Sequence, residues 1–397
     1  MQGPFSAVKI TEDVYWVGAI DWSLRDFHGY ATDRGTTYNA YLILADDVTL
    51  VDTVKGPFRE EMFGRIGSVI EPSKIRYIIS NHSEMDHTGC LPEAVQVIKP
   101  EKVFASANGV KALAGHFHGA VAATAVANGE ELSLGNKRVR FIETKMLHWP
   151  DSMFSYLVED QILFSQDGFG MHLATTERFD EEIERGVLIE EAAKYYANIL
   201  LPFAPMVSLA LKKAGTLPLK LIAPDHGPVW RRDIDLIVDL YTHWAGQKPG
   251  RKAVIVYDTM WGSTAAMAKA IEDGLVAEGV SVKSMRLKDN HRSDVATEML
   301  GAGALIVGSP TLNNQMFPSV ADMLTYLKGL KPKNLVGAVF GSYGWSEAAV
   351  RQLADAMNEL GIKLVADPLS VQYVPDRDAL VKCRELGRTV AQSMPAS

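Results

Sequence analysis

The stretch Ile79-Ser80-Asn81-His82-Ser83-Glu84-Met85-Asp86-His87-Thr88-Gly89 decides how this chain is read. It sets four potential metal ligands, His82, Glu84, Asp86 and His87, within six residues. It follows Ile75 to Ser80, an apolar, β-branched segment that predicts a buried strand. The order His-x-Glu-x-Asp-His therefore falls on the loop where that strand ends. Alternate residues of an extended segment point the same way, so His82 and Glu84 can face one metal ion. Asp86 and His87 come after the chain turns and can face a second. A cluster of His, Asp and Glu at ligand spacing is seldom idle, which favours chemistry over a polar loop with two solvated histidines.

The order resembles the metal loop of the metallo-β-lactamase superfamily. Many zinc hydrolases of that superfamily have His where this chain has Glu84. A carboxylate there makes the site harder and more oxygen-rich, which favours iron or manganese over zinc. Further candidates follow in the superfamily's order: His148 in Met146-Leu147-His148-Trp149-Pro150-Asp151-Ser152, then Asp167 after the apolar run Ile162-Leu163-Phe164. The last is His226 in Ala223-Pro224-Asp225-His226-Gly227-Pro228, after the short strand Lys220-Leu221-Ile222. Each is weak alone, since a lone His beside Pro or Gly is more often structural; together and in order they are strong. The expected site holds His82, Glu84 and His148 on one metal and Asp86, His87 and His226 on the other. Asp167 bridges them, with the ions roughly 3.5–4 Å apart.

The totals bound the rest. A chain of 397 residues is long enough for two domains, and 47% apolar with 22% charged residues are globular values. The net charge of −8, with no basic run, excludes nucleic acid as an expected partner. No continuous apolar stretch is long enough to span a bilayer, so no membrane association is expected. The start Met1-Gln2-Gly3-Pro4-Phe5-Ser6 has neither a basic n-region nor an apolar h-region, and the expectation is a cytoplasmic protein. The two cysteines, Cys90 and Cys383, cannot build an internal iron–thiolate or iron–sulfur centre, which needs about four thiolates. Both read as core residues.

The expected fold class is α/β in two parts. Residues 1–248 read as mixed strands and helices, with strands at Tyr15-Trp16-Val17-Gly18, over Thr37 to Leu44 and over Val48 to Asp52, and a helical stretch from Ile189 to Lys213 interrupted at Pro202. This suits an αββα sandwich. Gln247 to Lys252 reads as a linker. Residues 249–397 alternate strand and helix: strands at Lys252–Tyr257, Val280–Leu287, Ala304–Gly308, Val336–Phe340 and Lys363–Val365, with a last helix from Arg377. Five strands with helices between them predict a doubly wound parallel sheet.

Three strand-to-helix loops of this second part predict its ligand. Asp258-Thr259-Met260-Trp261-Gly262-Ser263-Thr264 runs straight into a helix, where hydroxyls and free backbone N–H groups make a phosphate seat. No Gly-x-x-x-x-Gly-Lys and no Gly-x-Gly-x-x-Gly is present here, so a monophosphate fits better than a triphosphate or dinucleotide. Ser309-Pro310-Thr311-Leu312-Asn313-Asn314-Gln315 and Gly341-Ser342-Tyr343-Gly344-Trp345-Ser346 offer amides for a polar ring edge and aromatics for a flat face. This part resembles flavodoxin. The resemblance implies FMN, held by Thr259 to Thr264, Pro310 to Asn314 and Ser342 to Trp345.

A metallo-β-lactamase-like part with Glu84 in its ligand loop, joined to a flavodoxin-like part, resembles the flavodiiron proteins over nearly the whole chain. Asp21-Trp22, Asp26-Phe27-His28-Gly29 and Gly35-Thr36-Thr37-Tyr38-Asn39-Ala40 belong to the resemblance. The chain ends soon after the flavodoxin-like part, which suggests the minimal two-domain class. The family implies a non-haem diiron site, FMN, and reduction of O2 to water, of NO to N2O, or both. Electron arithmetic agrees, since O2 takes four electrons, two ferrous ions give two and a reduced flavin gives two, whereas zinc has no redox chemistry. The resemblance also makes His28, His172 and Tyr195 groups lining the gas pocket, with a hydrogen-bonded core role as the alternative for each. Trp149 is read as pocket wall. His116, His118, His243 and His291 are read as structural or exposed. With no thiolate centre of its own, the chain is expected to take electrons from rubredoxin or a similar donor, and a head-to-tail homodimer is implied. Two rivals stay open: a binuclear zinc hydrolase with a regulatory flavodoxin-like domain, and an electron carrier with a vestigial metal site.

Overall fold

A computed structural model describes residues 4–395; Met1–Gly3 and Ala396–Ser397, which the expected domain limits and part of the start reading include, lie outside the described residues. The chain divides into two compact units. The first takes in the residues through His28, Thr32–Tyr195 and Pro205–Thr242, and the second Gly29–Ala31, Tyr196–Ala204 and the chain from His243 onward.

The first unit is an αββα sandwich of a seven-stranded and a five-stranded sheet. Strand parity explains its layers. Tyr41, Ile43, Val51 and Ile79 of the first sheet meet Val139, Phe141, Ile162, Phe164, Leu221 and Ala223 of the second in one apolar core. Their neighbours Leu42, Leu50 and Ile78 point the other way. They pack on Met62 and Ile66 of the helix Arg59–Gly67 and on Leu91, Ala94 and Ile98 of the helix Leu91–Ile98. The outer face of the second sheet is covered too: Phe154 reaches Phe169, whose ring lies 4.8 Å from Tyr241 on the helix Ile234–Gly246.

One expected strand is two. Instead of a continuous Thr37–Leu44, Thr36–Tyr38 pairs with Ala19–Asp21 in a separate ribbon, while Tyr41–Ile43 joins the main sheet. The break falls at Asn39. Its backbone N–H leaves the ladder to donate to the Asp225 carbonyl at 2.7 Å, and its side-chain amide donates to the carbonyls of Pro224 and Gly227. The expected helix around Pro202 is likewise subdivided: Arg185–Tyr195 is α-helical, Tyr196–Leu200 a π-helical turn and Leu201–Phe203 a 3-10 turn before Ala204–Ala214.

The second unit is a doubly wound sheet. Its strand order is Ser281–Arg286, Lys252–Tyr257, Ala304–Leu312, Val336–Tyr343 and Lys363–Leu364, all parallel. One face packs Ala253, Ile255, Ile306 and Phe340 on the helices Ser263–Ala277 and Arg377–Ser393. Those helices touch through glycine: a Cβ on Gly274 would stand 2.0 Å from the Arg384 carbonyl oxygen. The expected fifth strand is shortened to Lys363–Leu364, and a further strand, Leu369–Gln372, follows it. Lys363–Leu364 pairs with the start of Val336–Tyr343, and Leu369–Gln372 pairs with its end. Pro368 lies in the gap, where a residue without an N–H cannot sustain the ladder.

Candidate metal centre and flavin cavity

Parallel strands deliver their carboxyl ends to one edge, and that edge gathers the candidate ligands. Ile162–Gln166 and Leu221–Pro224 run parallel, with Gln166 opposite Pro224, so Asp167 and His226 leave the sheet side by side. Tyr77–Ser80 in the other sheet ends just before His82. As expected from alternation, His82 Nε2 and Glu84 Oε2 lie 3.1 Å apart. The chain then turns into the short helix Met85–Thr88, which carries Asp86 and His87. His148 sits between the antiparallel strands Arg138–Glu143 and Met153–Leu157. The Gln166 side chain ties that loop in, donating to the Leu147 carbonyl and accepting the Asp167 N–H at 2.7 Å.

The seven expected residues converge in two sets. His82, Glu84, His148 and Asp167 form one, and Asp86, His87 and His226 the other; within each set the ligand atoms lie within 4.8 Å of one another. Asp167 divides its carboxylate between them. Oδ2 is 3.3 Å from His82 Nε2 and 3.0 Å from His148 Nε2, while Oδ1 is 3.2 Å from His87 Nε2 and 3.6 Å from His226 Nε2. Asp86 spans 3.4 Å to His87 Nε2 and 3.2 Å to His226 Nε2. Two donor atoms bonded at about 2.1 Å to one ion and at right angles lie about 3 Å apart, so these spacings suit a shared cation in each set.

The electrostatics point the same way. Both carboxylate oxygens of Asp86 and of Asp167, and both ring nitrogens of His87, are buried without a hydrogen bond. Buried groups of that kind require a partner, and an ion supplies it. Burial opposes ionisation of Glu84, yet hydrogen bonds from His148, His28 and His82 outweigh it and hold the carboxyl far below its usual range. Burial likewise opposes charge on His87, but the surrounding carboxylates Asp86, Asp225 and Asp167 raise it to about 10. A cation at the centre would take over what these protons do. The donor set is nitrogen and oxygen only, which suits iron or manganese and gives no thiolate centre.

Around the candidate ligands, two outward nitrogens are held. His82 Nδ1 lies 3.4 Å from Asp151 Oδ2, and His226 Nδ1 2.6 Å from the Thr37 carbonyl oxygen. Asp151, Asp225 and Thr37 had no assigned role in the sequence, although Asp225 directly precedes His226 and Asp151 closes the His148 motif. Asp225 is pushed well upward by burial and by the neighbouring Asp52, with His87 pulling the other way.

His28 reaches Glu84 from the solvent side, with Nε2 2.5 Å from Oε1. His172 is buried, its Nδ1 2.7 Å from Thr36 Oγ1 and its ring 4.5 Å from that of His226. Burial and the nearby His226 hold it neutral, well below the usual histidine range. The Tyr195 ring lies 5.1 Å from His172. The Trp149 indole stands edge-on to His82 at 5.2 Å, a wall rather than a ligand. His116, His118, His243 and His291 are exposed, as expected.

In the second unit a cavity of about 400 Å³ opens at the carboxyl ends of the strands, lined by Met260, Trp261, Ser263, Pro310 to Asn314 and Ser342 to Ser346, with Tyr373. The expected Thr259, Gly262 and Thr264 are not among the lining residues; Thr259 and Thr264 are buried and Gly262 is exposed. Thr259 Oγ1 accepts the Gly262 N–H at 3.1 Å, and the Thr264 hydroxyl meets Ser342 Oγ at 2.9 Å. Gly262 takes φ +92°, a conformation that favours glycine, and caps the helix Ser263–Ala277 with no side-chain acceptor. The first N–H groups of that helix therefore remain available to a phosphate. Trp261 and Trp345 are 94% and 89% exposed at the cavity mouth, an arrangement that a flat ring would cover. The loop at Asn313-Asn314 is a tight hairpin, both residues at positive φ between Leu312 and Gln315. Ser346 closes the expected third loop, while Tyr373 was not expected here; it directly follows the strand Leu369–Gln372 that the sequence did not reveal.

Comparison with known proteins adds to this picture. A family model described as ODP family beta lactamase matches residues 36–227, and one described as flavodoxin matches residues 255–387. The chain is 45% identical to a nitric oxide reductase of Moorella thermoacetica over 97% of its length and 98% of the relative's. It is 43% identical to the rubredoxin-oxygen oxidoreductase of Megalodesulfovibrio gigas, over 98% of each. Among solved structures, the flavodiiron protein from Giardia intestinalis superposes with a TM-score of 0.95 at 33% identity, covering 98% of this chain and 96% of that one.

Proposed function

The chain belongs to the flavodiiron protein family, and from that premise we propose how its own residues reduce O2 to water, NO to N2O, or both. It is an oxidoreductase that depends on FMN and a non-haem diiron site. The observation that carries the residue-level reading is the divided carboxylate of Asp167, one oxygen turned to each set of donors. His82, Glu84 and His148 would hold one iron and Asp86, His87 and His226 the other, with Asp167 serving both. When bound, the two ferrous ions supply two electrons and the reduced flavin two more, the four that O2 needs.

The residues do the rest by placement. With Asp167 counted in both, each set offers four protein donors, which would leave a bound ion able to take up a small gas molecule such as O2 or NO. His28 bonds the outer oxygen of Glu84, which keeps Oε2 turned inward between His82 and His148. His172 and Tyr195 line the space beside His226, where they hold hydrogen bonds or protons for bound substrate. In the flavodoxin-like part, residues 249–397, the N–H groups from Ser263 onward would seat the FMN phosphate. Asn313 and Asn314 would serve the ring edge, and Trp261 and Trp345 its faces. Residues 1–248 form the diiron part.

The electron donor is rubredoxin or a similar small carrier, as the name of the Megalodesulfovibrio relative suggests. A head-to-tail homodimer would place the flavin of one copy beside the irons of the other. Trp22 and Met85, 57% and 48% exposed, support it by leaving apolar surface on the metal-binding unit, as do Trp261 and Trp345 on the flavin unit. No helix among the described residues is long and apolar enough to cross a membrane. Both cysteines are buried and unpaired, which supports a reducing, cytoplasmic setting. The test is protein made with ample iron, assayed for metal, flavin and gas reduction with a reduced donor. Two irons and one FMN per chain are expected; a zinc-only chain that still turns over O2 refutes the reading.

A further inference from the structure

The ligand imidazoles differ in what holds their outward nitrogen. His226 has the Thr37 carbonyl and His82 has Asp151, whose Oδ2 is itself fixed by the Ser83 N–H at 2.6 Å. For His87 the neighbour is Asp225, with Oδ2 3.5 Å from Nδ1. Asp225 is fully buried, neither of its carboxylate oxygens has a hydrogen bond, and His87 Nδ1 has none either, so each is the other's nearest available partner. Its backbone is pinned on both sides: its N–H donates to the Gln166 carbonyl at 2.8 Å, and its carbonyl accepts the Asn39 N–H at 2.7 Å. The adjacent Asp52 is engaged elsewhere, accepting the backbone and side-chain N–H of Asn81, each at 2.7 Å. An Asp225 oxygen facing Nδ1 as an acceptor favours the tautomer with its proton there. That leaves the lone pair on Nε2, the atom facing Asp86 and Asp167.

We propose that Asp225 is the positioning residue for the second iron: it fixes His87 as the Nδ1–H tautomer and aims Nε2 at the ion. The inference rests on His87 being a ligand, and its test separates the two. Fe2+ is titrated anaerobically, against a competing chelator, into full-length FMN-loaded chains: wild type, Asp225→Ala, His87→Ala and the double variant. Asp225→Ala should weaken the second Fe2+ by about 10–100-fold and leave the first Fe2+ and FMN unchanged. The double variant should bind no more weakly than His87→Ala alone. Equal loss at both iron positions, or losses that add in the double variant, mark a merely structural role and overturn the proposal. Wild-type binding by His87→Ala removes His87 from the ligand set, whereas impaired His87→Ala beside normal Asp225→Ala overturns Asp225 alone. Asp225→Asn keeps the shape if the alanine variant does not fold. Its amide oxygen polarises Nδ1–H less than a carboxylate, so the visible bands of Co2+ at the second position should shift; unchanged bands overturn the proposal.

Discussion

Replacing His148 with Ala tests the metal centre where its geometry is most constrained. His148 Nε2 stands 3.1 Å from Glu84 Oε2 and 3.0 Å from Asp167 Oδ2, at the meeting point of the first set. Truncation leaves that set with one imidazole, His82, and two carboxylates. Structural zinc sites with four protein ligands bind their ion with about 10–16 kcal/mol, so each ligand accounts for about 3–4 kcal/mol there, which sets the upper scale for the more weakly bound Fe2+. Loss of one therefore weakens the first iron by up to about two to three powers of ten. The second iron keeps Asp86, His87, His226 and Asp167 and should lose far less. The flavin cavity lies in the other unit and should keep its FMN. Iron per chain after dialysis against buffered Fe2+, the flavin absorbance, and consumption of O2 or NO with a reduced donor are measured together. The expected result is about one iron, one FMN and no gas reduction. Two firmly held irons with normal turnover would remove His148 from the site and refute the reasoning.

Three further outcomes are expected. The pair Ser263→Ala and Thr264→Ala should weaken FMN by roughly tenfold in a fluorescence titration, a loss of about 1.4 kcal/mol. Most should come from Ser263, because the Thr264 hydroxyl is turned toward Ser342; unchanged affinity would move the phosphate elsewhere. Glu191, raised to about 6 by burial despite Lys194 and Arg34, lowers stability when ionised. Its folded value lies above its unfolded one, so the penalty is full above pH 6 and fades as pH falls toward 4.5. Glu191→Gln should therefore stabilise the chain at pH 7.5 by up to about 2 kcal/mol, less what the lost Arg34 contact takes away, and the advantage should shrink at pH 5 in denaturant titrations. A constant difference across pH would reject the assignment. Finally, a variant unable to hold FMN can be mixed by co-expression with one lacking His82 and His87. Half of randomly paired dimers are hybrids with one working trans pair, so activity should return to roughly a quarter of wild type. Proven hybrids without activity would reject the head-to-tail arrangement.

The ligand loop was legible in the sequence because it is local. His82 and Glu84 share a side through strand alternation, and Asp86 and His87 follow within one turn, so spacing alone places them. The three loops that line the cavity of the second unit were legible for the same reason, since each directly follows a strand whose apolar run announces it. The αββα and doubly wound classes followed from hydrophobic periodicity, which is a property of neighbours along the chain. Tertiary structure decided what joins distant residues. His28 meets Glu84 across 56 positions and His226 meets the Thr37 carbonyl across 189, and no local pattern encodes either. The same holds for the break at Asn39, made by a loop almost two hundred residues away, and for Tyr373, carried to the flavin cavity by a strand that begins only after Pro368. Which oxygen of Asp167 faces which set depends on the backbone turn at Gln166, at φ 43°, where the strand ends. The sequence could name the candidate ligands, since ligand chemistry belongs to residue types; how they converge in two sets and what supports them are set by where parallel strands happen to end side by side.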